Sequence, residues 1–409
     1  MRVVVALDAP FRLANGEAHS PVQTYERFWR RYLDVFDSVL IIARAMKPDR
    51  LPDSCQVATG PGVKLADFPY YLGPYQFLRQ RGRIRRSIRE ALRPDDACLL
   101  RVPGTIGTEV WKQLDPGRPF GVEVVVDPWD TFAPGGVKSL ARPLFRRIFT
   151  RNLTAQCRRA TAASYVTEFA LQERYPPDEE AYTTHYSSVA LDAASICSDV
   201  SDRIAAIAAI PARLAGDGPP VRLGFIGSFS QAHKLQHVHI QALARCVSQG
   251  ANVMLEMISD GQRLEAMKAL AKRLGLVDRV VFRGRLPGGK PIFDAMDTFD
   301  LFLNATAAEG LPRVVIEAMG RGCPCVASDV NGHPELLDPP HLMPPGDPEA
   351  LAETILRVLR DPKGMAEAVE RNIRVAKTYT DEVLGPRRRR FYQELRRRTE
   401  AELCRKRDR

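Results

Sequence analysis

Two carboxylates eight positions apart, Glu309 and Glu317, flank a Gly-Leu-Pro turn in the stretch EGLPRVVIEA (309–318). The apolar DLFLNA before it reads as a buried strand. Pro312 is placed like the first residue of a helix, so the helix's free N–H groups point out of the loop and form an anion site. Glu309 lies just outside that helix, and Glu317 lies in its second turn, roughly 8 Å along the axis at 1.5 Å per residue. The N–H cluster can hold a phosphate while the carboxylates accept hydrogen bonds from hydroxyls on either side. A sugar diphosphate linked to a ribose has that layout. For two glutamates alone, a helix cap and a solvated helix residue explain the pattern better.

A second segment, VRLGFIGSFSQAHK (221–234), gives a strand, then Gly227 and Ser228, then Lys234 ahead of a helix. Small residues let the backbone approach a phosphate, and a lysine there supplies charge to an oxyanion. A tight turn with a surface lysine fits the same residues. No G-x-x-x-x-G-K-[ST] is present, so this is not a P-loop.

The elements that must position these groups alternate along the chain. RVVVAL (2–7), SVLIIARA (38–45), ACLLRV (97–102) and FGVEVVVD (120–127) read as strands, with VQTYERFWRRYLDVF (22–36) and KSLARPLFRRIFTRNLTAQC (138–157) as amphipathic helices. The rhythm breaks from about 176 to 220 and restarts with strands at 221–229, 252–259, 279–284, 300–305 and 324–328. Near-continuous apolar strands joined by helices argue for parallel sheets covered on both faces. The expected fold is α/β, with two domains and an interdomain cleft. Its parts are a first domain (1–185), a linker (186–220), a second domain (221–376) and a basic C-terminal helix (377–409). A length of 409 residues suits two cores.

Composition narrows the class. Hydrophobic residues make up 45% and charged residues 26%, as in soluble globular proteins. No apolar run approaches the ~20 residues of a membrane span, and the start MRVVVALDAPF reads as a strand, not a signal peptide. Eight scattered cysteines form no zinc-type pairs and suggest a reducing, cytoplasmic setting. The net charge is +10, and residues 387–409 hold eleven Lys or Arg against four acids. Stretches 79–93 and 142–160 are also basic. Such patches suit anionic lipid or a phosphorylated substrate, or are solvated helix faces. They lack the interleaved aromatics of a nucleic-acid binder.

The run from Val221 to Leu337 resembles the nucleotide-sugar-binding domain of retaining glycosyltransferases of family 4 (glycosyl transferases group 1), in the GT-B architecture of two Rossmann-like domains. The landmarks stand in the family's order: the small-residue turn, Lys234, the turn ISDG (258–261), LGLVDRVVFRGRL (274–286), DLFLNAT, and the E-x7-E of Glu309 and Glu317. The resemblance implies that 1–185 binds the acceptor, that 221–376 binds the nucleotide sugar and that the helix at 377–409 crosses back to the first domain. It also implies that Lys234 holds the donor diphosphate, that Glu309 contacts the transferred sugar and that Glu317 contacts the ribose. Gly227 and Ser228 would approach the phosphates, and the backbone at Gly310, Leu311, Arg313 and Val314 would face sugar and β-phosphate. Arg285 and Leu286 would meet the base, and Gly16, with Asn15, would close over the phosphates.

Three departures from the family pattern stand out. Ser228 occupies the place of a frequent arginine, Leu235 replaces the glycine that usually follows the lysine, and the strand that commonly ends in an active-site histidine ends here in VVVDPWD. Asp127 is the catalytic candidate at that position, or a cap for the following turn. Asp130 and Arg101 are acceptor-side candidates. No D-x-D stands at a strand end, so no metal or other cofactor is expected, with the nucleotide sugar as donor substrate. The expected partners are that nucleotide sugar, a glycan, lipid-linked or small-molecule acceptor, and an anionic membrane surface on the cytoplasmic side. A soluble transferase acting on a small molecule and a non-catalytic nucleotide-sugar sensor are the competing readings.

Overall fold

The structure is a computed structural model and describes residues 1–52, 55–133, 139–189 and 191–408. Lys138, Ala190 and Arg409, which the expectations above include in a helix, the linker and the tail, lie outside the described residues. The chain divides into two compact units. Unit 1 comprises Met1–Val126, Arg147–Tyr186 and Gly385–Arg409, and unit 2 comprises Asp127–Arg146 and Ser187–Leu384.

Among the described residues, unit 1 is built on nine strands: β1 Arg2–Ala14, β2 Glu17–Ser20, β3 Ser38–Met46, β4 Gln56–Val57, β5 Val63–Leu65, β6 Ala97–Val102, β7 Gly121–Val124, β8 Ala162–Tyr165 and β9 Tyr182–His185. The series β5-β3-β1-β6-β7-β8-β9 is parallel throughout, while β2 and β4 add an antiparallel flap. β1 is twice the expected length. Its register slips between Ala6 and Pro10, and its end turns back into β2. Asn15 and Gly16, with φ of 53° and 80°, are therefore the two central residues of a hairpin rather than a loop after a short strand.

The expected helix over 22–36 is instead a five-residue wide turn, Tyr25–Trp29, followed by a 3-10 turn, Arg30–Tyr32. Ring packing overrides helical propensity here. Trp29 and Tyr32 stack at 5.7 Å, Tyr32 and Tyr392 stack at 4.6 Å, and Trp29 Nε1 donates to Gln23 O. Tyr392 lies on the last helix, Asp381–Arg407, and together with Phe391 and Leu395 it is fully buried.

Among the described residues, unit 2 carries six strands, all parallel: β10 Val221–Ile226, β11 Val253–Ile258, β12 Val280–Gly284, β13 Leu301–Asn304, β14 Cys325–Ser328 and β15 Leu342–Met343. Their spatial order is β12-β11-β10-β13-β14-β15. The order reverses between β10 and β13, and ligands of open parallel sheets bind at the carboxyl ends flanking such a reversal. Phe225, Leu255, Leu303 and Ile355 are among its fully buried core residues, each stabilising the fold by roughly 1.5–3 kcal/mol. Residues expected in a linker join this core: Ile207, Ile210 and Leu214, on the short helices Ser201–Ile207 and Ile210–Ala215, are buried with it.

Candidate active site

The two strands at the reversal each deliver one half of the site. β10 ends at Ile226, and the chain continues through Gly227 and Ser228 to a 3-10 turn, Ala232–Lys234. Gln236, fully buried, braces this loop by donating from Nε2 to Ser228 O and Gln231 O. The loop after β11 pairs with it, because Phe229 N donates to Asp260 O and Gly227 N donates to Ile258 O. From the other strand, Ala307 N and Thr306 Oγ1 both donate to His233 O at 2.8 Å. Lys234 is thereby set against the segment that carries Glu309, and its Nζ donates directly to Glu309 Oε1.

Leu235 sits in the left-handed region, φ 45° and ψ 43°. A glycine adopts this conformation without strain, whereas a leucine pays on the order of 1–2 kcal/mol. The family's glycine after the lysine thus has a geometric reason, and here the buried Leu235 side chain holds the same turn.

Two neutral histidines anchor the loops on either side of β13. His239 Nδ1 contacts Leu235 O at 3.2 Å, while its Nε2 accepts from Ala305 N at 3.1 Å. His333 Nδ1 contacts Val330 O at 3.2 Å, while its Nε2 lies 2.9 Å from Asn304 Nδ2. Each ring therefore carries its proton on Nδ1 and accepts on Nε2. Burial pushes both down to about 4, which keeps them uncharged. Next to His333, Asn331 donates from Nδ2 to Glu309 O at 2.8 Å and to Asp130 Oδ2 at 2.7 Å. Gly332 packs so closely that a Cβ there would meet Gly310 O at 2.5 Å, so the turn tolerates no side chain.

The helix Arg313–Gly320 opens directly after Pro312, which is its N-cap residue, one place earlier than the expected N1. The N–H groups of Arg313 and Val314 belong to its first turn and have no carbonyl one turn back to bond. They face a pocket of about 420 Å³ whose lining includes His233, Lys234, Glu309, Arg313 and Glu317. Burial works to raise the Glu309 carboxyl, but the Lys234 ammonium outweighs it and holds the group below the usual value. Burial lifts Glu317 to about 6 against the opposing pull of Arg313. Burial, then Lys234, lowers His233. The site thus offers an ammonium, a helix N-terminus and two carboxylates of unlike acidity.

Gly310, Leu311 and Val314 stand on this turn as the sequence places them. Arg285 and Leu286 follow β12 and do not line this pocket. Asp127 is fully buried, and its Oδ1 accepts from Trp129 N at 2.7 Å as the N-cap of the Pro128–Thr131 helix. The structure gives it the capping part rather than the catalytic one. Asp130, one turn on, reaches the site's edge through Asn331. Arg101 is corrected likewise. Its guanidinium pairs with the buried Glu123, which also accepts from Tyr186 Oη at 2.7 Å, so it belongs to the unit 1 core rather than to an acceptor surface. His239, His333, Asn331 and Gln236 were not anticipated. Polar residues that the fold buries beside a strand end give no periodic signal, although the close pairing of His237 and His239 on a helix was visible.

The residues 220–361 match the family described as glycosyl transferases group 1. The chain is 24% identical to Protein CapJ of Staphylococcus aureus over 339 residues, which is 81% of this chain and 80% of that protein. It is 25% identical to a GDP-mannose-dependent alpha-mannosyltransferase of Mycobacterium tuberculosis over 379 residues, 87% and 88% of the two chains. Anabaena HepE in complex with UDP-glucose has the same fold, with a TM-score of 0.59 and 18% identity over 95% of this chain and 98% of that one. Residues 220–361, which hold Lys234, Glu309 and Glu317 at the strand reversal, thus match the group 1 glycosyl transferases, and the chain has the GT-B fold of the solved structures.

Proposed function

We propose that this protein transfers a sugar from a nucleoside-diphosphate sugar, with retention at the anomeric carbon, to a glycan or lipid-linked acceptor in surface polysaccharide or glycolipid biosynthesis. The observation that carries the reading is the Lys234–Glu309 pair facing the N-terminus of the Arg313–Gly320 helix, with Glu317 further along the same pocket. Departure of a nucleoside diphosphate builds negative charge on the β-phosphate. Lys234 and the N–H groups of Arg313 and Val314 are placed to stabilise it, a role filled elsewhere by a divalent cation. Metal-independent transfer is therefore part of the proposal. Glu309, kept ionised by Lys234, accepts hydroxyls of the transferred sugar and favours the positive character that develops on it. Glu317 accepts from ribose hydroxyls. Retention follows from attack on the face the leaving phosphate occupies, with that phosphate receiving the acceptor's proton. The UDP-glucose bound by HepE supports a nucleotide sugar as donor.

Membrane contact is a further part of the proposal. The helix Gly73–Ala91 exposes Tyr75 and Leu78, and Leu72 ahead of it, beside Arg79, Arg83 and Arg86. Large apolar side chains among guanidinium groups suit an anionic bilayer surface. Among the described residues no helix is long and apolar enough to cross a membrane. A thermal-shift screen of nucleotide sugars tests the donor reading, because a ligand that binds only the folded state raises its stability. At least one donor should raise the melting temperature of wild type and raise it less in Glu317→Gln. No shift with any nucleotide sugar would contradict the reading.

A further inference from the structure

We propose that the Arg313 side chain is the second cation on the donor's diphosphate, replacing the charge that Ser228 lacks. The inference rests on the nucleotide-sugar reading above and assigns a side-chain contact where that reading uses only the backbone of Arg313.

The charge balance of the site motivates it. A departing nucleoside diphosphate gathers more than one negative charge, yet Lys234 is already shared with Glu309. That pair is close to neutral as a unit. Ser228 offers only a hydroxyl, which accepts from Ser230 N. Arg313 lines the same pocket as Lys234, its side chain is exposed, and no ion pair or side-chain hydrogen bond holds it among the described residues.

The position is also electrostatically poor for a structural arginine. A cation in the first turn of a helix opposes the macrodipole, which favours anions there. Pairing with Glu317, four residues on, puts the cation N-terminal to the carboxylate, the weaker of the two orders. Burial lifts Glu317 to about 6 despite the opposing pull of Arg313, which agrees that its carboxylate is poorly compensated. A diphosphate at the helix N-terminus reverses both penalties. It satisfies the free N–H groups and gives the guanidinium a planar, two-oxygen partner.

The experiment measures binding of inorganic pyrophosphate, UDP, GDP and ADP by isothermal titration, together with steady-state kinetics on the donor so identified. The proteins are wild type, Arg313→Gln, Arg313→Lys and the double variant Ser228→Arg/Arg313→Gln. The expected result for Arg313→Gln is about tenfold weaker binding of pyrophosphate and of the preferred nucleoside diphosphate, with turnover reduced about 10- to 100-fold, somewhat below the loss for a fully enclosed donor group. Turnover should fall by a larger factor than KM rises, because the charge grows toward the transition state. Arg313→Lys should retain an intermediate level, and Ser228→Arg should restore part of what Arg313→Gln loses, which a merely structural arginine would not allow. Equal binding and turnover in wild type and Arg313→Gln would overturn this inference and leave the donor reading standing. Failure of wild type to bind any of the three nucleoside diphosphates would overturn both.

Discussion

Replacing Lys234 with alanine removes the ammonium and strands Glu309 in a pocket where its side chain is only 15% exposed. Breaking a buried pair from one side costs roughly 3–5 kcal/mol when the remaining charge cannot escape. Glu309 can escape by taking up a proton. From an ordinary value of 4.5, protonation at pH 7 requires about 3.4 kcal/mol at 1.36 kcal/mol per pH unit, which caps the loss. At pH 5 the cap falls to about 0.7 kcal/mol by the same relation. The sign follows from the pair. In wild type Glu309 is held low, so its contribution is present above the ordinary carboxyl value and is lost as pH falls through the depressed one. In Lys234→Ala the carboxyl is raised instead, so destabilisation grows with pH. Urea unfolding from pH 5 to pH 8 should show a gap between wild type and variant that widens to no more than about 3–5 kcal/mol. Adding Glu309→Gln should close most of it by removing the stranded charge. Turnover should fall about 100-fold in Lys234→Ala, the lower end for a lost oxyanion contact because Arg313 shares the charge, and the stability rescue should not restore it. A gap independent of pH, or one that Glu309→Gln leaves open, would refute the reasoning.

Glu317, raised to about 6, should destabilise the empty protein as pH climbs from 4.5 through 6. Glu317→Gln should therefore raise stability at pH 8 by up to about 2 kcal/mol and leave it unchanged near pH 4, while donor affinity drops; paired melts at the two pH values read this out. His239 and His333, at about 4, have their protonation disfavoured by the fold, so the stability each contributes is full above its ordinary 6.5 and is lost as pH falls toward 4, by up to about 3 kcal/mol apiece. Nitrogen-15 NMR should find both rings neutral with the proton on Nδ1 at pH 6, and a protonated ring at that pH would contradict the anchoring account. Leu395→Ala, at a fully buried site on the last helix, should lower unfolding free energy by about 2–5 kcal/mol in urea without changing donor affinity.

The donor half of this molecule was legible because its chemistry is local. Glu309, Gly310, Leu311, Arg313, Val314 and Glu317 sit on one turn and one helix, so nine residues of sequence fix their mutual placement. Lys234 reads nearly as well, since it closes the loop after a strand that the apolar run VRLGFI marks. Long-range packing was not legible. Arg101 ends an apolar strand beside a Pro-Gly and looks exposed in one dimension, whereas Glu123 on the neighbouring strand draws it inward. Asp127 precedes a proline and a tryptophan, a pattern that fits a cap and a catalytic acid alike; only its complete burial separates them. The aromatic stretch at 25–32 has helical spacing, but rings distant in sequence, Tyr392 among them, decide its backbone. The helices at 201–215 looked like a linker because their alanines hide the few large residues, Ile207, Ile210 and Leu214, that dock them.

The most direct test of nucleotide-sugar transfer at this site is a proton NMR time course of wild type with the donor identified by thermal shift, its acceptor, and EDTA throughout. The account predicts one nucleoside diphosphate released per sugar transferred, a first-formed product with the donor's own anomeric configuration, and an unchanged rate in EDTA. Inversion at the anomeric carbon, or transfer that stops in EDTA and returns with added divalent metal, would contradict it.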